Sequence, residues 1–254
     1  MPGSAFAQRK EQLERETGSD TKPALSLARH KMKSKTWGAI FDWDGVIIDS
    51  ADYHRQSWER YCAESGRKLN DTFFKKGFGM KNEVIIPELL NWTHDPKEIR
   101  AIADRKEEHY RDILREQGAT PLPGVLTWLT ALRDAKIPCV IASSTVLENI
   151  TVALDVLGVR EFFRDIVSSR DVSRGKPDPE VFLKAAGKLG LPPSQCVVFE
   201  DAHVGIDAAR AAKIKVIAVT TTHPAHSLSD ADLVIARLDE LTVSQVAAML
   251  EPRA

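Results

Sequence analysis

Asp42 and Asp44 stand one residue apart in FDWDGVIIDS (residues 41–50), at the end of an apolar run and just ahead of a glycine. Alternate side chains of a strand share one side, so the two carboxylates are expected close together, where like charges repel. A bound cation is the first candidate to offset that repulsion. Matching chemistry recurs along the chain. Ser143, Ser144 and Thr145 follow a second apolar run, Lys176 lies in GKPDPE, and Glu200 and Asp201 end CVVFED. Carboxylates bind a hard cation such as Mg²⁺, which keeps much of its water and is completed by phosphate oxygens. Hydroxyls, exposed backbone N–H groups and a lysine hold an anionic phosphate.

The elements that must position these groups are legible as apolar runs. WGAIFDW (37–43), PCVIAS (138–143), DIVSS (165–169), CVVFE (196–200), KVIAV (215–219) and the weaker DLVIA (232–236) read as buried strands. Helical patterns fall between the later runs: VLTWLTALRDA, VLENITVALDVLG ending on Gly158, and DPEVFLKAAGKLG ending on Gly190. The last is expected to start with Asp178 as N-cap and Pro179 as its first helical residue. Strands alternating with helices predict an α/β fold, a Rossmann-like parallel sheet covered on both faces. Ligands of such sheets collect at the carboxyl ends of the strands, where every residue named above falls.

Between the first two runs the pattern changes. ADYHRQSWERYCAESG, NEVIIPELLNW and DPKEIRAIADRKEEHYRDILREQG read as helices, and GATPLPG (118–124) as a hinge back into the core. The expected organisation is a catalytic core of residues 36–50 and 120–254, an inserted α-helical cap over 51–119, and an N-terminal extension over 1–35. That extension is charged and is expected to be disordered or loosely helical. Glu11, Glu14, Glu16 and Asp20 argue against a mitochondrial presequence, and Met32 would also make a natural start.

Composition excludes several function classes. A net charge of −1 gives no electrostatic case for a nucleic-acid partner or an anionic membrane. No apolar run has the length of a bilayer span. Cys62, Cys139 and Cys196 lie far apart among apolar residues, which suits buried free thiols in a reducing, cytoplasmic setting. The sequence carries no signal for an oligomeric state.

FDWDGVIIDS, VIASST, GKPDPE and VVFEDAHVGIDAA resemble, in that order, the four motifs of the haloacid dehalogenase superfamily, over residues 37–222. The position and helical character of the insert resemble its capped subfamily, which includes β-phosphoglucomutase and small-molecule phosphatases. The resemblance implies that Asp42 is a nucleophile forming an aspartyl-phosphate. It implies that Asp44 is a general acid and base, and that Ser143, Ser144 and Lys176 hold the phosphoryl group. It also implies a Mg²⁺ site made by Asp42, Asp44 (through its carbonyl), Glu200 and Asp201. Each motif alone has an ordinary reading as a turn, a cap or a solvated strand end. Four of them in order, at the ends of alternating elements, do not.

Within the family, DWDG keeps an aspartate where the metal-free dehalogenases lack one and the phosphonate-cleaving members resemble DWAG. Cleavage of a P–O bond is therefore expected. In the cap, ADYHRQSW with His54 resembles the first cap helix of the mutase, and DRKEEHYRDIL resembles its later cap helix, with Lys106 at a position that contacts substrate there. His54 shares a helical face with Trp58 and Tyr61, which equally suits cap packing. Lys106, set among Asp104, Glu107 and Glu108, has the setting of a solvated helix surface. GFGMKNEV carries Asn82 where the mutase has an arginine for a second phosphate, with Lys81 beside it. A lysine lacks the arginine's bidentate fork. The expected function is thus a Mg²⁺-dependent phosphatase of a small phosphorylated metabolite, with a sugar phosphate as the expected class. The alternatives are a phosphosugar mutase and a non-catalytic phosphometabolite-binding protein.

Overall fold

The computed structural model describes residues 37–70, 73, 77 and 80–251. The expectations for residues 1–35 and Met32 lie outside the described residues. Six strands form one parallel sheet: β1 (Gly38–Phe41), β2 (Cys139–Ala142), β3 (Asp165–Val167), β4 (Cys196–Glu200), β5 (Lys215–Val219) and β6 (Leu233–Ile235). All six coincide with the apolar runs read from the sequence. Their order is β3-β2-β1-β4-β5-β6. The sheet therefore grows outward in both directions from β1 and β4, and the crevice between their carboxyl ends is the topological switch point.

Two apolar layers enclose the sheet. Ala39, Phe41, Ile141, Phe199 and Ile217 face one side. There they meet α3 (Val125–Asp134), α4 (Leu147–Leu157) and α7 (Val243–Met249). Ile40, Val140, Val198 and Val216 face the other, against α5 (Glu180–Leu189) and α6 (His203–Ala211). Each fully buried aliphatic or aromatic side chain in such a layer contributes about 1.5–3 kcal/mol. Trp43, between the two aspartates, turns into the first layer and meets Phe163 edge-on. Cys139 and Cys196 are buried free thiols and Cys62 is half-buried and free. Burial pushes the first two up to about 12 and about 11.

The helical insert holds α1 (Ala51–Ser65) and α2 (Pro96–Gln117). Its own apolar cluster joins Trp58 and Tyr61 to Ile85, Ile86, Ile99 and Ile102. NEVIIPELLNW, expected as one helix, is instead a short α segment, Asn82–Val84, running into a π-helical turn, Ile85–Leu89. Pro87 has no N–H to continue the α ladder, and the turn closes with Leu90 N–H on the Ile85 carbonyl. The two chain crossings between insert and core run side by side: Tyr53 Oη donates to the Gly118 carbonyl at 2.9 Å, and Leu122 N–H to the Ile47 carbonyl at 2.9 Å. No helix among the described residues is long and apolar enough to cross a membrane.

Two local expectations need correction. Helix α5 begins at Glu180, one residue later than expected, and Pro179 is its N-cap. Asp178 still caps it, because its carboxylate accepts the Glu180 N–H at 3.0 Å. The first strand also ends at Phe41, so Asp42 and Asp44 are gathered by a loop and not by strand alternation.

Candidate active site

That loop is tightly wound. Asp42 N–H still bonds to the Phe199 carbonyl of β4, but the Trp43 carbonyl accepts from Val46, Ile47 and Ile48. Gly45 turns the chain with φ +79°. A Cβ there would stand 1.9 Å from Asp201 Oδ2, so the glycine lets this loop and the end of β4 approach. Gly45→Ala should weaken the binding of a divalent cation by these carboxylates about tenfold or more, the range seen when groups that support metal ligands are changed. Gly66 is the control: it is also left-handed (φ +72°) but has open space around it. Gly66→Ala should cost only about 1–2 kcal/mol of stability from its backbone conformation. Mg²⁺ titration and urea unfolding of both variants check the pair.

Asp42, Glu200 and Asp201 are all buried and can bring one oxygen each within 4.8 Å of the others. Lys176 reaches in from the loop before α5, with Nζ 2.7 Å from Asp42 Oδ1 and 2.6 Å from Glu200 Oε1. The other oxygen of Glu200 accepts the N–H groups of Asp201 and Ala202, both at 2.7 Å. Asp201 accepts from Thr222 Oγ1. Three carboxylates against one ammonium leave two negative charges uncompensated. Burial, with like charge beside it, pushes Asp42 up to about 7 and Asp201 up to about 8. The ionised cluster needs a further cation, and a divalent ion bound by oxygen donors matches that charge. The donor set therefore fits Mg²⁺.

Asp44 lies on the same loop, near enough for its charge to help raise Asp42. Its Oδ2 accepts from Thr145 Oγ1 at 2.5 Å. Its Oδ1 makes no hydrogen bond among the described residues, and His54 Nε2 stands 3.9 Å away. Burial opposes ionisation of Asp44, but His54 and Thr145 outweigh it and hold the carboxyl below its ordinary value. Ser143, at the end of β2, is buried, and its Oγ accepts the Thr145 N–H at 3.0 Å. Ser144 lies half-buried between them.

The cap residues behave differently from their sequence setting. Lys106 is 2% exposed, so the reading of a solvated surface does not hold. Its ammonium meets Glu107 Oε1 at 2.9 Å and His54 Nδ1 at 2.6 Å, over the rings of Trp58 and Tyr110. Burial lowers its pKa against the pull of Glu107. An ammonium only donates, so His54 accepts on Nδ1 and a neutral ring carries its hydrogen on Nε2, toward Asp44. His54 also stacks on Tyr110 with centroids 4.2 Å apart. His54 thus packs within the insert and also approaches Asp44. Lys81 lies against Gly175, the residue before Lys176, with Cε 3.2 Å from where a Cβ would stand. Asn82 Nδ2 donates to Glu107 Oε1 at 2.7 Å.

Thr145, Thr222, Glu107 and Asn149 carry contacts that sequence reasoning did not assign. For Lys106 a signal existed. It falls on the stripe Ile99, Ile102, Ala103, Lys106, Tyr110, Ile113, all buried, at the spacing of an inward helix face.

Residues 39–219 match the family model described as haloacid dehalogenase-like hydrolase. A 5-amino-6-(5-phospho-D-ribitylamino)uracil phosphatase, chloroplastic, of Arabidopsis thaliana is 37% identical over 246 residues, covering 90% of this chain. The chain spans 65% of that relative's length. Validoxylamine A 7'-phosphate phosphatase of Streptomyces hygroscopicus subsp. limoneus is 31% identical, covering 80% of this chain and 94% of its own. A solved hydrolase of family IA, variant 3, from Entamoeba histolytica superposes with a TM-score of 0.77 at 28% identity, covering 85% of this chain and 100% of that one.

Proposed function

Since the chain belongs to the haloacid dehalogenase-like hydrolase family, we propose that it is a phosphohydrolase that cleaves a small phosphomonoester through an aspartyl-phosphate, with Mg²⁺ as cofactor. The observation that carries this reading is the pair at the switch point: Asp42, held by Lys176 among two further buried carboxylates, and Asp44, whose Oδ1 makes no hydrogen bond among the described residues. Asp42, Glu200, Asp201 and the Asp44 carbonyl would hold the ion. When bound, Mg²⁺ supplies positive charge to the phosphoryl oxygens and the attacking carboxylate.

The chain's own groups divide the remaining work. A carboxylate oxygen of Asp42 forms the new bond to phosphorus while the bond to the ester oxygen breaks, and Asp44 gives that oxygen its proton. Water then attacks phosphorus, Asp44 takes the water's proton, and the Asp42–phosphorus bond breaks to release inorganic phosphate. Dividing one displacement into two in this way lowers each barrier. Asp44 is ionised without substrate; an arriving phosphate dianion raises its proton affinity by like-charge repulsion. Lys176 and Ser143 hold the phosphoryl oxygens, and the Lys176 charge offsets what develops in the transition state. The cap residues His54 and Lys81 would line the approach of the leaving group, with Lys106 buttressing His54 at Nδ1 and residues 49–52 and 118–123 as hinges.

The cap favours a phosphatase over a phosphosugar mutase, because Lys106 and Asn82 are both already bound to Glu107. A second phosphate would find only Lys81 to grip among the three. The named Arabidopsis relative puts a ribityl phosphate first on the substrate panel. The test is phosphorus NMR with Mg²⁺, that phosphate, and β-glucose 1-phosphate primed with a trace of the 1,6-bisphosphate. Growth of an inorganic phosphate signal supports the proposal. Conversion to the 6-phosphate without free phosphate supports the mutase. No change with either, or with p-nitrophenyl phosphate, overturns the catalytic reading in favour of a binding protein.

A further inference from the structure

Glu107 is a buried carboxylate that the reaction above does not use. From α2 it accepts Lys106 Nζ at 2.9 Å and Asn82 Nδ2 at 2.7 Å on Oε1, and Asn149 Nδ2 at 2.5 Å on Oε2. Lys106 and Asn82 belong to the insert. Asn149 belongs to α4 of the core and is 1% exposed. Its other end is also held: Asn149 Oδ1 accepts Arg111 Nη1 at 2.9 Å. Arg111 follows Glu107 by four residues and so shares its helix face. One amide is thus read at both ends from a single helix, the NH₂ by a carboxylate and the carbonyl by a guanidinium, which determines its orientation. Hydrogen bonds to ionised partners are about twice as strong as neutral ones.

We propose that Glu107 is a positioning residue: it docks the helical insert on α4 through Asn149 and, by the same carboxylate, holds Lys106 against His54 and so His54 against Asp44. The proposal rests on the phosphatase reading for its kinetic consequence, though not for the docking itself. An undocked insert takes His54 away from Asp44, which matters most for a leaving group that must be protonated. An alkyl phosphate has such a leaving group; p-nitrophenyl phosphate does not.

Asn149→Asp is the decisive variant. It keeps the size and the acceptor for Arg111 but replaces the donor facing Glu107 with a second carboxylate. The ratio of kcat/KM for D-ribitol 5-phosphate to that for p-nitrophenyl phosphate should fall about tenfold or more, the size expected for a lost charged hydrogen bond. Adding Glu107→Gln restores a donor across the contact with reversed polarity and should recover most of the ratio. Without substrate, amides of α2 and of the first turn of α4 should exchange faster in Asn149→Asp than in the parent, and slow again in the double variant. Should Asn149→Asp fail to fold, Asn149→Ala carries the same measurements. A ratio and exchange rates unchanged from the parent overturn the proposal, as does a loss that the double variant does not recover. If the parent hydrolyses neither phosphate, the phosphatase reading fails at that step, and exchange alone decides the docking.

Discussion

Asp42→Asn should reduce turnover by about 10⁴-fold or more, the scale seen when a nucleophile acting within a catalytic unit is removed. The amide has nearly the same shape but carries no charge, and its oxygen does not attack phosphorus at a useful rate. Loss of the fold is not the expected cause. Burial and the like charge of Glu200 and Asp44 disfavour ionised Asp42, against the pull of Lys176. A neutral side chain there relieves that cost, so the metal-free variant should unfold at a temperature no lower than the parent. Two measurements check this: steady-state phosphate release, and intact mass of acid-quenched protein, where the parent shows a phosphoryl increment and the variant none. Retained turnover would place the nucleophile elsewhere, and a parent that never shows the increment would favour direct attack by water.

Lys176→Met should damage both stability and rate. Nζ lies within hydrogen-bond distance of two buried carboxylates, and the ammonium also sits 5.0 Å over the Phe182 ring. Methionine keeps the apolar stem but leaves Asp42 and Glu200 buried without their cation. Removing one partner of a buried ion pair costs about 3–5 kcal/mol, read here as a lower urea midpoint at neutral pH. Loss of a donor aimed at the developing charge should reduce kcat by about 10²–10³-fold. The extra negative charge left behind should tighten Mg²⁺ binding, so added Mg²⁺ should recover part of the stability and little of the rate. An unfolding midpoint equal to that of the parent would show that the lysine does not hold the cluster together.

Much of this architecture is legible in one dimension. Runs such as CVVFE and KVIAV are too apolar to lie anywhere but in a covered parallel strand, and glycines at 158 and 190 mark helix ends through the left-handed backbone that they adopt. Because ligands meet parallel sheets at the strand ends, the residues just after those runs, Asp42, Ser143 and Glu200, could be named before any coordinates. Lys213, at the turn into β5, adopts φ +57° where a glycine would be at ease. The helix start at Asp178 missed by one residue, since a side-chain cap and the first helical residue leave the same local signature.

The charged run DRKEEHYRD shows where that legibility ends. Local composition makes Lys106 and Glu107 solvated, and helical spacing places only Lys106 on the inward stripe; Glu107 is buried as well, because Asn149 of α4 meets it. Whether a charge is buried depends on what arrives opposite it, and Asn149 is 42 residues from Glu107 in sequence. Catalytic motifs are local because one loop or strand end carries each. The docking of the insert is not, because a hydrogen bond between helices has no trace in the spacing of either. The sequence therefore specified the sheet and the groups at its edge, while tertiary packing alone decided how the cap reaches Asp44.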